Sequence, residues 1–216
     1  MPLTGGRTGR PPRTSRAQIL AAARRLIDRD GWEKLTIRRL AAEAGTAPTT
    51  LYHHVRDKDD LLTQLLNDYA GQIPRPDLPD DPRERILTAA IVMHDALADW
   101  PWVAEILTAD DLTGESALWM VETIVGGAVE LGLTPERAVD LYRGVWYFTA
   151  GEILIRANAA RRRAEPPRAI RRDEVFRELD AARYPHLAAV ADRWPELTAR
   201  DTYASGLRAL VDGLLP

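Results

Sequence analysis

Between Thr36 and Leu62 the chain reads TIRRLAAEAGTAPTTLYHHVRDKDDLL, and this stretch constrains the fold more than any other. Thr36 is a good N-cap, and Ile37, Leu40, Ala41 and Ala44 follow at the i, i+3, i+4, i+7 spacing of one apolar helical face, leaving Arg38, Arg39 and Glu43 outside. Gly45 ends that helix, because glycine enters the left-handed backbone region without a Cβ penalty. Pro48 fits only the first turn of a new helix, so the chain turns sharply and restarts. In the short second helix Leu51 and Val55 face inward, while Ala47, Pro48, Thr49, Thr50, Tyr52, His53 and His54 present methyls, hydroxyls, a phenol and imidazoles outward. Such groups suit phosphate oxygens and base edges, and the pattern reads as a DNA-binding helix-turn-helix. Asp57 caps the next helix and Lys58 opens it.

A helix in front completes a three-helix bundle. Ser15 and Gln18 form a capping-box pattern, Ile19, Leu20, Ala23, Leu26 and Ile27 make its apolar stripe, and Gly31 closes it. Charge follows the same division. Residues 1–60 carry 12 Lys and Arg against 7 Asp and Glu, whereas residues 61–216 carry 17 against 25, so a net charge of −3 hides a basic end. Three domains are expected: an arginine-bearing arm over 1–13, a helix-turn-helix domain over 14–60 and a helical domain over 61–216. The arm has two readings, a minor-groove contact or a tail adding nonspecific attraction.

At these residues the chain resembles the tetracycline-repressor (TetR) family. The family pattern is matched by Thr36, Leu40-Ala41, Gly45, Leu51-Tyr52, His54-Val55 and Lys58, over about a quarter of the chain. The segment APTTLYHHV is similar to the tetracycline repressor's own branch. Phe148-Thr149-Ala150-Gly151 and the run Tyr203, Gly206-Leu207, Leu210, Gly213-Leu214 extend the resemblance. It implies an all-α fold, a four-helix dimer interface built from those two helices, and a DNA-binding regulator. The imidazoles and carboxylate that hold a magnesium-tetracycline chelate in the namesake are not matched; their positions fall near Pro74, Leu107 and Ile155. Tetracycline is therefore not an expected ligand.

Beyond Lys58 the pattern is helical throughout, with no strand alternation. One helix runs from Lys58 towards Pro74. The next opens at Asp81-Pro82 with Glu84 as a capping partner, and a turn is expected over Trp100 to Leu107. A helix through Val121 and Ile124 ends near Gly132, and the longest runs from Thr134 to about Arg161. A short helix near Asp173 to Ala182 and a last one from about Ala199 complete the chain. In the long helix, VWYFTAGEILI is apolar on nearly all sides, which surface helices are not. One side then faces its own subunit and the other a partner, so a homodimer is expected. Ala150, Gly151, Gly206 and Gly213 let helices approach closely.

Composition bounds the function. Zero cysteines exclude disulfides and thiolate metal sites, and no apolar run approaches the roughly 20 residues of a membrane helix, so a cytoplasmic protein is expected. No catalytic motif is present, and neither an enzyme nor a cofactor or metal is expected; His53 and His54, adjacent on a helix, point about 100° apart. Ligand-binding candidates are His94, Trp100, Trp102, Trp119, Trp146, Tyr147 and Glu152, because flat aromatic area lines pockets for apolar molecules and a few polar groups orient them. His94 reads equally as a core histidine, and Glu152 as the i, i+4 partner of Arg156. DNA-binding candidates are Arg38, Ala47, Pro48, Thr49, Thr50, Tyr52, His53, His54 and Lys58. Two functions fit: a dimeric repressor on a palindromic double-stranded DNA operator, released by a small, largely apolar molecule, or a DNA-binding protein with no small-molecule effector.

Overall fold

A computed structural model describes residues 14–109, 114–164, 175–176 and 178–216. The arm over 1–13 and the start of the helix expected near Asp173 lie outside the described residues. The helices are α1 (Arg16–Asp30), α2 (Ile37–Glu43), α3 (Pro48–Leu51), α4 (Lys58–Ala70), α5 (Pro82–Asp99), α6 (Pro101–Ala109), α7 (Leu118–Glu130), α8 (Pro135–Ala164), α9 (Pro185–Ala188), α10 (Trp194–Thr198) and α11 (Tyr203–Leu214), with no strand among the described residues.

The described residues form two compact units, one of residues 14–73 with 109 and 114–117, the other of residues 74–108 with those described from 118 to 216. The boundary thus lies at Ile73–Pro74 rather than at 60–61. The reason is α4: Leu61, Leu62, Leu65 and Leu66 are buried, Arg16 Nε donates to Gln64 Oε1 at 2.8 Å, Arg24 pairs with Asp68, and the Arg24 guanidinium lies 4.5 Å over the Tyr69 ring. These ties bind α4 to α1.

Caps set the ends as the residue types require. The Ser15 hydroxyl accepts from the Gln18 N–H at 3.2 Å while Gln18 Oε1 accepts from the Ser15 N–H at 2.9 Å, a complete capping box. At Asp81 only half of the expected box forms. Asp81 accepts from the Glu84 N–H at 3.0 Å, but the Glu84 carboxylate is taken by Arg208 of α11 at 2.6 and 2.9 Å.

The span Trp100 to Leu107, expected as a turn, is mostly helix. Trp100 breaks α5 with φ −132° and ψ 71°, and Pro101 opens α6, whose Val103, Ala104 and Ile106 are buried. The last helix begins at Tyr203, four residues later than expected, and α4 stops at Ala70 instead of running towards Pro74.

In the second unit α5 and α7 meet closely. A Cβ on Gly127 would lie 2.8 Å from Ile86 Cγ1 and 3.0 Å from the Pro82 carbonyl, so only glycine admits this approach. Gly206 is used in the same way, within the chain: a Cβ there would lie 2.8 Å from Phe148 Cζ. Ala150 is buried too, whereas Gly151 and Gly213 face open space. Of the four small residues expected at a subunit contact, two therefore serve packing inside one chain.

Candidate nucleic-acid interface and candidate ligand residues

The reading region is built by a short helix that cannot stand alone. A four-residue helix is far below the length that is stable in water, so α3 depends on its surroundings. Two features hold it. Gly45 takes φ +63°, and its N–H donates to the Ala42 carbonyl while the Thr46 N–H donates to Ala41, a Schellman ending that reverses the chain after α2. Leu51 and Val55 are then buried, each contributing about 1.5 to 3 kcal/mol by removal from water. Gln64 Nε2 donates to the His54 carbonyl at 3.0 Å and pins the end of the segment to α4.

Ala47, Pro48, Thr49 and His53 are exposed, Thr50 and His54 are partly buried, and Tyr52 is 58% exposed, which excludes a core role for its ring. Arg38 on α2 is exposed as well. Its neighbours show why that matters. Arg39 donates to Asp30 at 2.5 Å and to the Lys34 carbonyl at 3.0 Å; Arg25 and Arg29 bind Glu43 at 3.0 and 3.1 Å; Arg16, Arg24 and Arg56 contact Gln64, Asp68 and Asp60. Among the described arginines of residues 14–73, Arg38 alone has no hydrogen-bonded or ion-pair partner. Lys58, at the start of α4, has its Nζ 3.3 Å from the Glu33 carbonyl and 5.1 Å over the Trp32 ring.

In the second unit the candidate polar residues meet each other. His94 on α5 has Nε2 at 2.9 Å from Glu152 Oε2 and Nδ1 at 2.9 Å from Asp95 Oδ1, and its ring stacks on Tyr203 at 3.7 Å. Each ring nitrogen thus faces a carboxylate of its own chain. The other Glu152 oxygen pairs with Arg156, the partner its i, i+4 spacing suggests. Tyr203 was not among the candidates, nor was Thr149. The Thr149 side chain is fully buried, and its Oγ1 lies 2.7 Å from the Tyr203 hydroxyl.

Burial, with Glu152 and Asp95 nearby, pushes the Tyr203 phenol up to about 12. The neutral phenol is favoured in the folded chain, so its contribution is complete below the ordinary tyrosine value near 10 and is lost as pH rises through 10 towards 12. Chemical unfolding is expected to show a loss on the order of 2 kcal/mol across that window, at 1.36 kcal/mol per unit. Tyr203→Phe should remove this part of the alkaline sensitivity.

Tyr147 does not face the interior. It is 60% exposed, and its hydroxyl accepts from Arg143 Nη2 at 2.7 Å. Trp100, Trp102, Trp119 and Trp146 are partly buried on or beside α5, α6, α7 and α8. The Trp119 indole Nε1 is buried without a hydrogen-bond acceptor, a condition that costs roughly 1 to 3 kcal/mol and that native structures seldom leave unexplained. Among the described residues no group of three or more His, Asp or Glu is placed to hold a metal, and no helix is long and apolar enough to cross a membrane.

A short helix braced by a glycine turn, with hydroxyls, imidazoles and one untethered guanidinium outside, is the reading element of a helix-turn-helix DNA-binding protein. The model for bacterial regulatory proteins of the tetR family matches residues 19–65, and that for the tetracyclin repressor-like C-terminal domain matches residues 75–216. The chain belongs to the TetR family, and is a DNA-binding regulator of transcription. It is 29% identical to the HTH-type transcriptional repressor DrrR1 of Streptomyces coeruleorubidus, across 98% of this chain and 82% of that one. It is 32% identical to an HTH-type transcriptional regulator of Saccharopolyspora erythraea, over 56% of this chain and only 52% of that one. Among solved structures, the TetR family protein ActR of Streptomyces coelicolor in complex with (S)-DNPA superposes with a TM-score of 0.71 at 23% identity, covering 92% of this chain and 95% of that one. That likeness speaks to the fold.

Proposed function

We propose that the protein is a cytoplasmic, homodimeric repressor that binds a palindromic operator and releases it when a small, largely apolar molecule enters the second unit. The observation that carries this reading is the path of residues 114–117. They fall with the first unit although α7, which follows them directly in sequence, belongs to the second. Asn67 Oδ1 on α4 accepts from the Ser116 N–H at 3.1 Å, and a Cβ on Gly114 would lie 3.3 Å from that same oxygen. A ligand that displaces α7 pulls on this clasp, and α4 carries the pull to the reader. The ligand-bound ActR is a precedent for a small molecule in this fold.

The dimer supplies the lever's purpose. Val139, Tyr147 and Ile155 of α8 are 47%, 60% and 69% exposed in the single chain, and they share one i+4 row with Gly151, which faces open space. A second copy seated there covers these three side chains, with Arg143 of the same row held to the Tyr147 hydroxyl. Two readers must then sit about 34 to 36 Å apart to enter successive major grooves. A ligand that favours the mismatched arrangement by 2 to 3 kcal/mol weakens operator binding on the order of 30- to 150-fold.

Asn67→Ala tests the coupling. Operator affinity without ligand should stay within about twofold and ligand binding, read by thermal shift, should persist, but release from operator should fall on the order of tenfold. Full release by the variant would contradict the clasp as the route.

A further inference from the structure

In the second unit the hydrogen-bonding capacity left over near the aromatic residues is of one kind. The acceptors are occupied: Glu152 by His94 and Arg156, Asp95 by His94. The Tyr203 hydroxyl is shared between Thr149 Oγ1 at 2.7 Å and the Ala90 carbonyl at 3.4 Å. What remains is a donor. Trp119 Nε1, in the first turn of α7, is shielded from solvent and meets no acceptor. Over the face of the same indole, 5.4 Å from its centroid, lies the Arg75 guanidinium. Among the described residues Arg75 makes no ion pair, although Asp77, Asp80 and Asp81 follow it closely in sequence. A buried N–H and an unneutralised guanidinium thus share one aromatic ring.

We infer that Trp119 and Arg75 form the polar end of the effector site and select an effector carrying a carboxylate on an aromatic body. This rests on the effector reading above and adds the chemistry of the ligand. An amine is disfavoured by Arg75 and offers no acceptor in its protonated form, while an uncharged hydrocarbon leaves the Trp119 N–H as it is. A carboxylate answers both groups, because its oxygens accept from an indole N–H and from a guanidinium at once, and charge-assisted bonds of this type are the strong ones. The aromatic body adds area burial against the partly buried tryptophans.

The test uses the full-length protein and two matched probes, 2-naphthoate and 2-naphthylmethylammonium. In 15N-labelled protein the six tryptophans give six indole N–H signals, and the one missing from Trp119→Phe is Trp119. Titration with 2-naphthoate should move that signal downfield, as a new hydrogen bond requires, and 2-naphthoate should bind at least about tenfold more tightly than the ammonium probe. Trp119→Phe and Arg75→Gln should each weaken 2-naphthoate about tenfold, Trp119→Phe leaving the affinity for the ammonium probe unchanged and Arg75→Gln leaving it unchanged or raising it. Since Arg75 is exposed, Arg75→Gln carries the test should Trp119→Phe fold poorly. Equal affinity for both probes, no 2-naphthoate binding, or a Trp119 signal that stays in place would overturn the inference. If small molecules release the operator but carboxylates hold no advantage, the effector reading stands and this assignment fails. If no small molecule releases it, the effector reading itself fails.

Discussion

Gly151→Arg is expected to convert the protein to a monomer that binds its operator on the order of 100-fold more weakly or worse. Gly151 lies on the α8 row that carries Tyr147 and Ile155, and a Cβ there meets nothing within 4 Å in the single chain, so the substitution leaves the protomer's own packing alone. In the proposed dimer the same position would face the second copy. A guanidinium there is desolvated without a counter-charge, which association cannot absorb. Loss of the second reader removes the effective concentration that joins two half-sites, worth 10²- to 10⁴-fold. Sedimentation velocity, with far-ultraviolet circular dichroism to show an intact fold, checks this. A folded Gly151→Arg variant that stays dimeric places the interface elsewhere. Gly206, which the sequence alone recommends for the same experiment, is the wrong position, because an arginine there strikes Phe148 of its own chain.

The second large effect is expected at Arg38. Among the described arginines of residues 14–73 it alone has no partner, so a contact between its guanidinium and a base edge would break no ion pair. A bidentate contact with guanine is worth about 1 to 3 kcal/mol of discrimination. Arg38→Ala should therefore weaken the preferred operator by roughly 5- to 150-fold and flatten preference at one base position per half-site. Lys58→Ala should act differently. Its ammonium rests on Trp32 and the Glu33 carbonyl, 5.1 and 3.3 Å away, and a phosphate contact made from there carries no sequence information. Binding to all sequences should weaken alike, with the salt slope falling by about one. Affinities for a full set of single-base operator variants at two salt concentrations separate the two. An Arg38→Ala variant that keeps its base preferences would refute the docking geometry.

The reader was legible in the sequence because its determinants are local. An N-cap, an i, i+3, i+4 stripe, a left-handed glycine and a proline at a helix start act over a few residues, and the structure repeats them at Thr36, Leu40, Gly45 and Pro48. The helix α6 was missed because Pro101 reads as a breaker in a short span, whereas at the first helical position it is compatible with a helix. Long-range pairings were the harder part. That His94 meets Glu152, that Arg208 takes Glu84 out of its capping box, and that Gly206 yields to Phe148 all depend on residues 58 to 124 positions apart. Periodicity places such residues on faces but does not say which faces meet. The clasp at Asn67 had no signal in the sequence, since an asparagine late in an amphipathic helix is ordinary.

Fluorescence anisotropy of an operator fragment measures directly whether a ligand in the second unit lowers the affinity of the first for DNA. The fragment is one selected by the protein from genomic DNA, and the ligand is one that raises the protein's thermal midpoint by mass action. At saturating ligand, the operator dissociation constant should rise on the order of 30- to 150-fold, and by linkage the operator should weaken ligand binding by the same factor. A ligand that binds and stabilises the protein while the operator isotherm stays in place would contradict the account.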